Sequence, residues 1–188
     1  MTNNDILKRL RFTLNLSDDQ VIKVGSLGNL EMTAADIEEW FTDEKSDQYK
    51  ALQDQPFAQW LNGLIIYKRG PSDKGTPEPE KKLTNNLILR KLKIAFDMKN
   101  EDVLFMLQKS EFKLGKSELT AFFRKPGHKH YRELKDQVLR NFLNGLQKTL
   151  RPIQDGSQKA KPKGKPRLTN QEDSFAEKFQ WKVPKHLK

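Results

Sequence analysis

Apolar residues recur at three- and four-residue spacing along most of the chain, the periodicity of helices that bury one face. The first stripe is Ile6, Leu7, Leu10 and Leu14, with Lys8, Arg9 and Arg11 falling off it and Asn3 or Asn4 placed to cap the helix. Ser17-Asp18-Asp19-Gln20 has the form of a capping box, with acids in the first turn where the helix dipole favours them. Val21, Ile22 and Val24 then face inward until Gly25 and Gly28 stop the second helix. Thr33-Ala34-Ala35-Asp36 opens a third, predicted to bury Ile37, Trp40 and Phe41, and the polar stretch Thr42 to Asp47 reads as a loop. Pro56 suits the first turn of a fourth helix, which carries Phe57, Trp60, Leu61 and Leu64 on one face and ends at Gly70.

The pattern then returns. A shift of 82 residues lays Thr2-Asn3-Asn4 on Thr84-Asn85-Asn86, Tyr49 on Tyr131, Asp54-Gln55 on Asp136-Gln137 and Leu61-Asn62-Gly63-Leu64 on Leu143-Asn144-Gly145-Leu146. Without a gap, 17 of the 68 pairs from Thr2 to Arg69 are identical, and 11 of the others exchange one large apolar residue for another. The second copy repeats the four stripes as Ile88/Leu89/Leu92/Phe96, Val103/Leu104/Met106/Leu107, Leu119/Phe122/Phe123 and Leu139/Phe142/Leu143/Leu146, and Pro152 closes it. A period this long predicts an all-α chain built as a tandem duplication of a small four-helix domain, not a solenoid of thin repeats. One copy of about 70 residues is near the lower limit for an independent core, so the two are expected to pack together.

The expected organisation is therefore a first helical repeat over 1–70, a linker with three prolines over 71–82, a second repeat over 83–152 and a tail over 153–188. Residues 153–167 alternate Lys with Pro, Gly, Ala and Gln, a composition that forms no core and predicts disorder. Phe175, Phe179 and Trp181 near the end stand amid Lys178, Lys182 and Lys185, a segment too short for a domain but able to dock as an amphipathic turn.

Both copies place Asn-Gly inside the fourth helix, where glycine costs roughly 1 kcal/mol relative to alanine. Its return at Asn62-Gly63 and Asn144-Gly145 reads as structural: the glycines admit a neighbouring helix backbone, and the asparagines satisfy buried or capping groups.

Charge separates what the core pattern makes alike. Residues 1–70 hold 8 Lys/Arg against 11 Asp/Glu, residues 83–152 hold 15 against 7, and residues 153–188 hold 9 against 4, within a net charge of +10. Duplicates that share a core and differ in surface charge suit different partners, with a polyanion the first candidate for the basic copy, against the plainer reading of a solubilising surface.

The Thr-Asn-Asn-x-Ile-Leu opening, the Leu-Ser-Asp-Asp-Gln entry to the second helix and the Phe-Leu-Asn-Gly-Leu segment of the second copy resemble the YehS-like bacterial family, a tandem domain of unknown function. The resemblance covers about residues 1–152. It implies tandem helical domains and a bacterial cytosolic setting, and it carries over no ligand or catalytic residue.

Candidate chemistry is sparse. Cysteine is absent, which removes disulfides and thiolate sites. His128 and His130 sit among lysines in a loop, without the helical spacing or carboxylates of a metal site, and no phosphate-binding loop or nucleophile elbow occurs. The expectation is a non-enzymatic chain with no cofactor and no metal. The polar start and the short apolar run Leu64 to Tyr67 give no signal peptide and no span, so a cytoplasmic protein without membrane attachment is expected.

One unit invites a functional reading: helices two and three have the size of a helix-turn-helix. In the first copy the third helix shows Asp36, Glu38 and Glu39, which repel phosphate. In the second it offers Lys116, Ser117, Thr120 and Arg124, followed by Lys125, Lys129 and Arg132, and the tail adds Lys159, Lys161, Lys163, Lys165 and Arg167. These are the candidate nucleic-acid contacts. Two helices joined by a turn are common in small helical domains, so a protein-interaction adaptor, using the acidic first repeat and the aromatic tail, stands as the rival.

Overall fold

Thr2, Ser17, Thr33 and Thr84 each accept a first-turn amide on the side-chain hydroxyl, and a helix starts after each. The computed structural model describes residues 1–151, and among them are eight helices: α1 (Asn3–Leu14), α2 (Asp18–Leu27), α3 (Ala34–Phe41), α4 (Asp54–Arg69), α5 (Asn85–Ala95), α6 (Asn100–Lys109), α7 (Lys116–Phe122) and α8 (Asp136–Leu150). The all-α fold and the duplication are as the periodicity implies, with α5 to α8 repeating α1 to α4. The tail, with its expected disorder, its basic candidates and its aromatic end, lies outside the described residues.

Reciprocal capping boxes start α2 at Ser17 and Gln20 and α3 at Thr33 and Asp36. The first helix corrects the sequence reading. Thr2 caps α1, taking the Asp5 amide on its hydroxyl, and Asn3 and Asn4 lie inside the helix. They are put to tertiary use. The buried Asn4 amide donates to the Trp40 and Lys50 carbonyls and accepts the Leu52 amide, which ties the end of α3 to the last residues of the α3–α4 loop. Asn86 makes the same three bonds 82 residues on, to Phe122, Arg132 and Leu134. Phe41, expected to be buried, is only partly so, with the Arg11 guanidinium 4.8 Å above its ring.

Within each copy the second and fourth helices cross most closely, and glycine sets the distance. A Cβ on Gly63 would lie 1.8 Å from the Val24 carbonyl oxygen, and one on Gly145 would lie 1.7 Å from that of Met106. No side chain fits there while the helices stay at this separation.

The copies share one hydrophobic core, and they exchange contacts reciprocally: α4 packs on α5 and α8 packs on α1. Three polar residues of the fourth helix mark that exchange. Asp54 accepts the Leu83 amide at the start of the second copy, and Asp136 pairs with the Met1 amino group at the start of the first. Asn62 accepts from Lys91 at 2.5 Å and Asn144 from Arg9 at 2.6 Å. Arg69 donates to the Ile94 carbonyl and Arg151 to that of Phe12, each capping the far end of the other copy's first helix. Asp, Asn and Arg thus meet the start, middle and end of that helix, and all three are identical between copies.

Candidate nucleic-acid interface

Asn86 positions the loop that carries most of the basic candidates. By holding the Phe122 and Arg132 carbonyls and the Leu134 amide, its side chain folds residues 123–135 back beside α7. Ser117, Glu118 and Ala121 from the helix and Arg124, Lys129, His130, Tyr131 and Arg132 from the loop then line a cavity of about 420 Å³.

Four of the seven candidates within the described residues, Ser117, Arg124, Lys129 and Arg132, are brought together there. The other three do not line it. Lys116 is exposed and lies 3.9 Å from Glu101 of α6. The Thr120 hydroxyl donates its proton to the Lys116 carbonyl, one turn back in its own helix. Lys125 is exposed in the loop. Arg124 is partly buried: one terminal nitrogen lies 3.1 Å from His128 Nε2, and its buried Nε has no acceptor among the described residues.

The same place in the first copy shows what the duplication has changed. There Lys50 stands where Arg132 stands, and its ammonium lies 2.9 Å from a Glu39 carboxylate oxygen and 3.2 Å from one of Asp36. Contact with Glu39 and then Asp36 holds its pKa above the usual lysine range. Asp36 is held below the usual carboxylate range, chiefly by the Thr33 amide, with further help from the Thr33 hydroxyl and Lys50. The cation is answered within the fold. In the second copy Ala121 stands in place of Glu39, and among the described residues Arg132 pairs only with Glu118, at 3.6 Å, with its side chain 66% exposed. Arg124 replaces Thr42 and Lys129 replaces Asp47. The first copy neutralises its cation inwardly, whereas the second holds cations in excess.

Sequence reasoning missed Asn86, Tyr131 and His130 as parts of this site. The return of Asn4 as Asn86 and of Tyr49 as Tyr131 under the offset was the available signal. The Asn-Gly pair is placed elsewhere, at the helix crossings and between the copies.

Among the described residues no three His, Asp or Glu side chains group as metal ligands, and no helix is long and apolar enough to cross a membrane.

The fold and this paired site define a duplicated helical protein whose two copies keep one scaffold and carry opposite charge. The profile of a family described as a protein of unknown function, DUF1456, matches residues 3–70 and 85–151, and the chain belongs to that family. It is 40% identical over 148 residues to the uncharacterised protein YehS of Escherichia coli (strain K12), which covers 78% of this chain and 94% of that protein. No solved structure matches it. Neither description names a ligand, and neither brings a catalytic residue.

Proposed function

We propose that this is a non-enzymatic nucleic-acid-associated protein of the cytoplasm, binding through its second repeat and tail, with Arg124, Lys129 and Arg132 as the inner contacts. Lys116, Lys125 and the Thr120 oxygen extend the surface, and Lys159, Lys161, Lys163, Lys165 and Arg167 of the tail add charge along the backbone of the ligand. The observation that carries the reading is the replacement of Glu39 by Ala121, which leaves Arg132 with one distant carboxylate where Lys50 has two close ones. Exposed cations of this kind meet phosphates, so affinity rests on charge and only weakly on sequence.

The α6–turn–α7 unit has the order of a helix-turn-helix, but α7 has only 7 residues and carries one cation, Lys116, against one carboxylate, Glu118. That composition favours contacts to the phosphate backbone over base reading. The test is recovery of the protein from cells with and without nuclease treatment. Recovery of RNA or DNA that nuclease removes supports the reading. A nuclease-resistant protein partner with no nucleic acid overturns it and favours the adaptor.

A further inference from the structure

The two seams between the copies are built alike but covered differently. In the α4/α5 seam the linker lies across the junction: Asn62 Nδ2 donates to the Pro77 carbonyl, and Lys91, which is 7% exposed, sets its ammonium 2.8 Å from the Glu80 carboxylate. An extended Pro-Glu-Pro-Glu stretch, residues 77–80, thus supplies one peptide carbonyl and one carboxylate to an amide and a cation.

The α1/α8 seam presents the equivalent pair. Arg9 donates to Asn144 Oδ1 as Lys91 donates to Asn62, yet Arg9 is only partly buried and has no carboxylate partner among the described residues. The Asn144 amide nitrogen, counterpart of the one that holds Pro77, makes no hydrogen bond within the described residues. A cavity of about 350 Å³ opens beside Arg9, lined also by Met1, Asp5, Lys8 and Arg140. Arg140 is exposed and stands where the covered seam has the buried Ala58, so this seam has an extra cation. Asp5, the carboxylate in the lining, accepts the Thr2 amide as part of the α1 cap.

We propose that the α1/α8 seam takes an extended acidic peptide of a partner protein, laid on Asn144, Arg9 and Arg140 as Pro77–Glu80 lies on Asn62 and Lys91. The chain's own continuation is the wrong match in charge. At the same offset it places Lys159 for Pro77, Lys161 for Pro79 and Pro162 for Glu80, cations and no carboxylate. The linker of a second copy is held in its own α4/α5 seam.

The probe is a synthetic peptide with the sequence of residues 75–80, Gly-Thr-Pro-Glu-Pro-Glu, titrated into the full chain and followed by backbone amide NMR. Saturable shifts at Arg9, Arg140 and Asn144 are expected, lost when both peptide glutamates are glutamine. Arg140→Ala removes an exposed side chain and should weaken binding by up to roughly five-fold, the scale of one exposed ion pair. Arg9→Ala should weaken it further, with its melting temperature measured alongside because Arg9 also bridges the copies. Parent-like binding by Arg140→Ala, shifts confined to Asn62 and Lys91, or shifts at the α1/α8 seam with a single-stranded oligonucleotide and none with the peptide would each overturn the proposal.

Discussion

Asn86 and Asn4 are one residue used twice, and the comparison separates stability from binding. Each fills a buried position with three hydrogen bonds, so alanine at either leaves buried backbone groups unsatisfied, at about 1–3 kcal/mol for each group. Both variants should lower the melting temperature. Asn86→Ala alone should also weaken nucleic-acid binding, because its loop carries Arg124, Lys129 and Arg132. Equal loss of binding in the two would contradict this division.

Glycine and left-handed residues make a second pair of expectations. Gly63→Leu and Gly145→Leu put side chains where a carbonyl oxygen already lies within 2 Å of the first carbon, and should destabilise by at least the ~1–3 kcal/mol typical of overpacking. If both melt like the parent, the close crossing is wrong. Glu111 holds φ 61° where the first copy has Asn29, also at φ 61°. Asparagine tolerates that region better, so Glu111→Asn should gain stability of up to about 1 kcal/mol in denaturant unfolding.

At the level of elements, the apolar stripes were enough to place every helix, because each is amphipathic and ends at a polar or glycine-containing connection. What the stripes could not carry was partnership. Asp54, Asn62 and Arg69 lie on the fourth helix but act on the first helix of the other copy, and nothing local to them distinguishes a surface residue from a bridging one. Their identity with Asp136, Asn144 and Arg151 was visible, yet it reads as common descent until the reciprocal packing shows what it preserves. The candidate site was half legible for a similar reason. Charge picked out Arg124, Lys129 and Arg132, whereas the asparagine that gathers them stood in a sequence that looks like an ordinary helix cap.

The bridging pairs respond to pH in a definite sense. Asp136 is held below the ordinary carboxylate value of 3.8, chiefly by hydrogen bonding from the Met1 amino group and then Asn85, and Asp36 is lowered as well. A folded pKa below the unfolded one means that the unfolded chain binds more protons as pH falls through this range. The stabilisation is therefore complete above about pH 4 and lost as pH drops through the lower folded values. Melting temperature followed from about pH 7 to about pH 3 should fall steepest at the acid end, and Asp36→Asn should flatten that fall.

As a whole molecule the chain is two copies that complete each other's core. Leu61, Leu64, Leu89 and Leu92 belong to one buried cluster, so residues 1–70 alone would expose the face of α4 that α5 covers. Scaffold and surface have diverged separately: the buried asparagines, the helix-crossing glycines and the bridging residues persist, while Glu39 has become Ala121 and Asp47 has become Lys129. The proposed binding of nucleic acid by the second copy rests on that separation.

The most direct test of that claim is fluorescence anisotropy of duplex and single-stranded RNA and DNA against the full chain over a range of salt. Log affinity should fall linearly with log salt, by about 0.9 per phosphate contacted on duplex or about 0.7 on single strands. Removing residues 153–188 should flatten the slope, and glutamate at Arg124, Lys125 and Arg132 should weaken binding far more than glutamate at Lys8 and Arg11. Binding of none of these ligands at about 50 mM salt, where phosphate contacts are strong, would contradict the account.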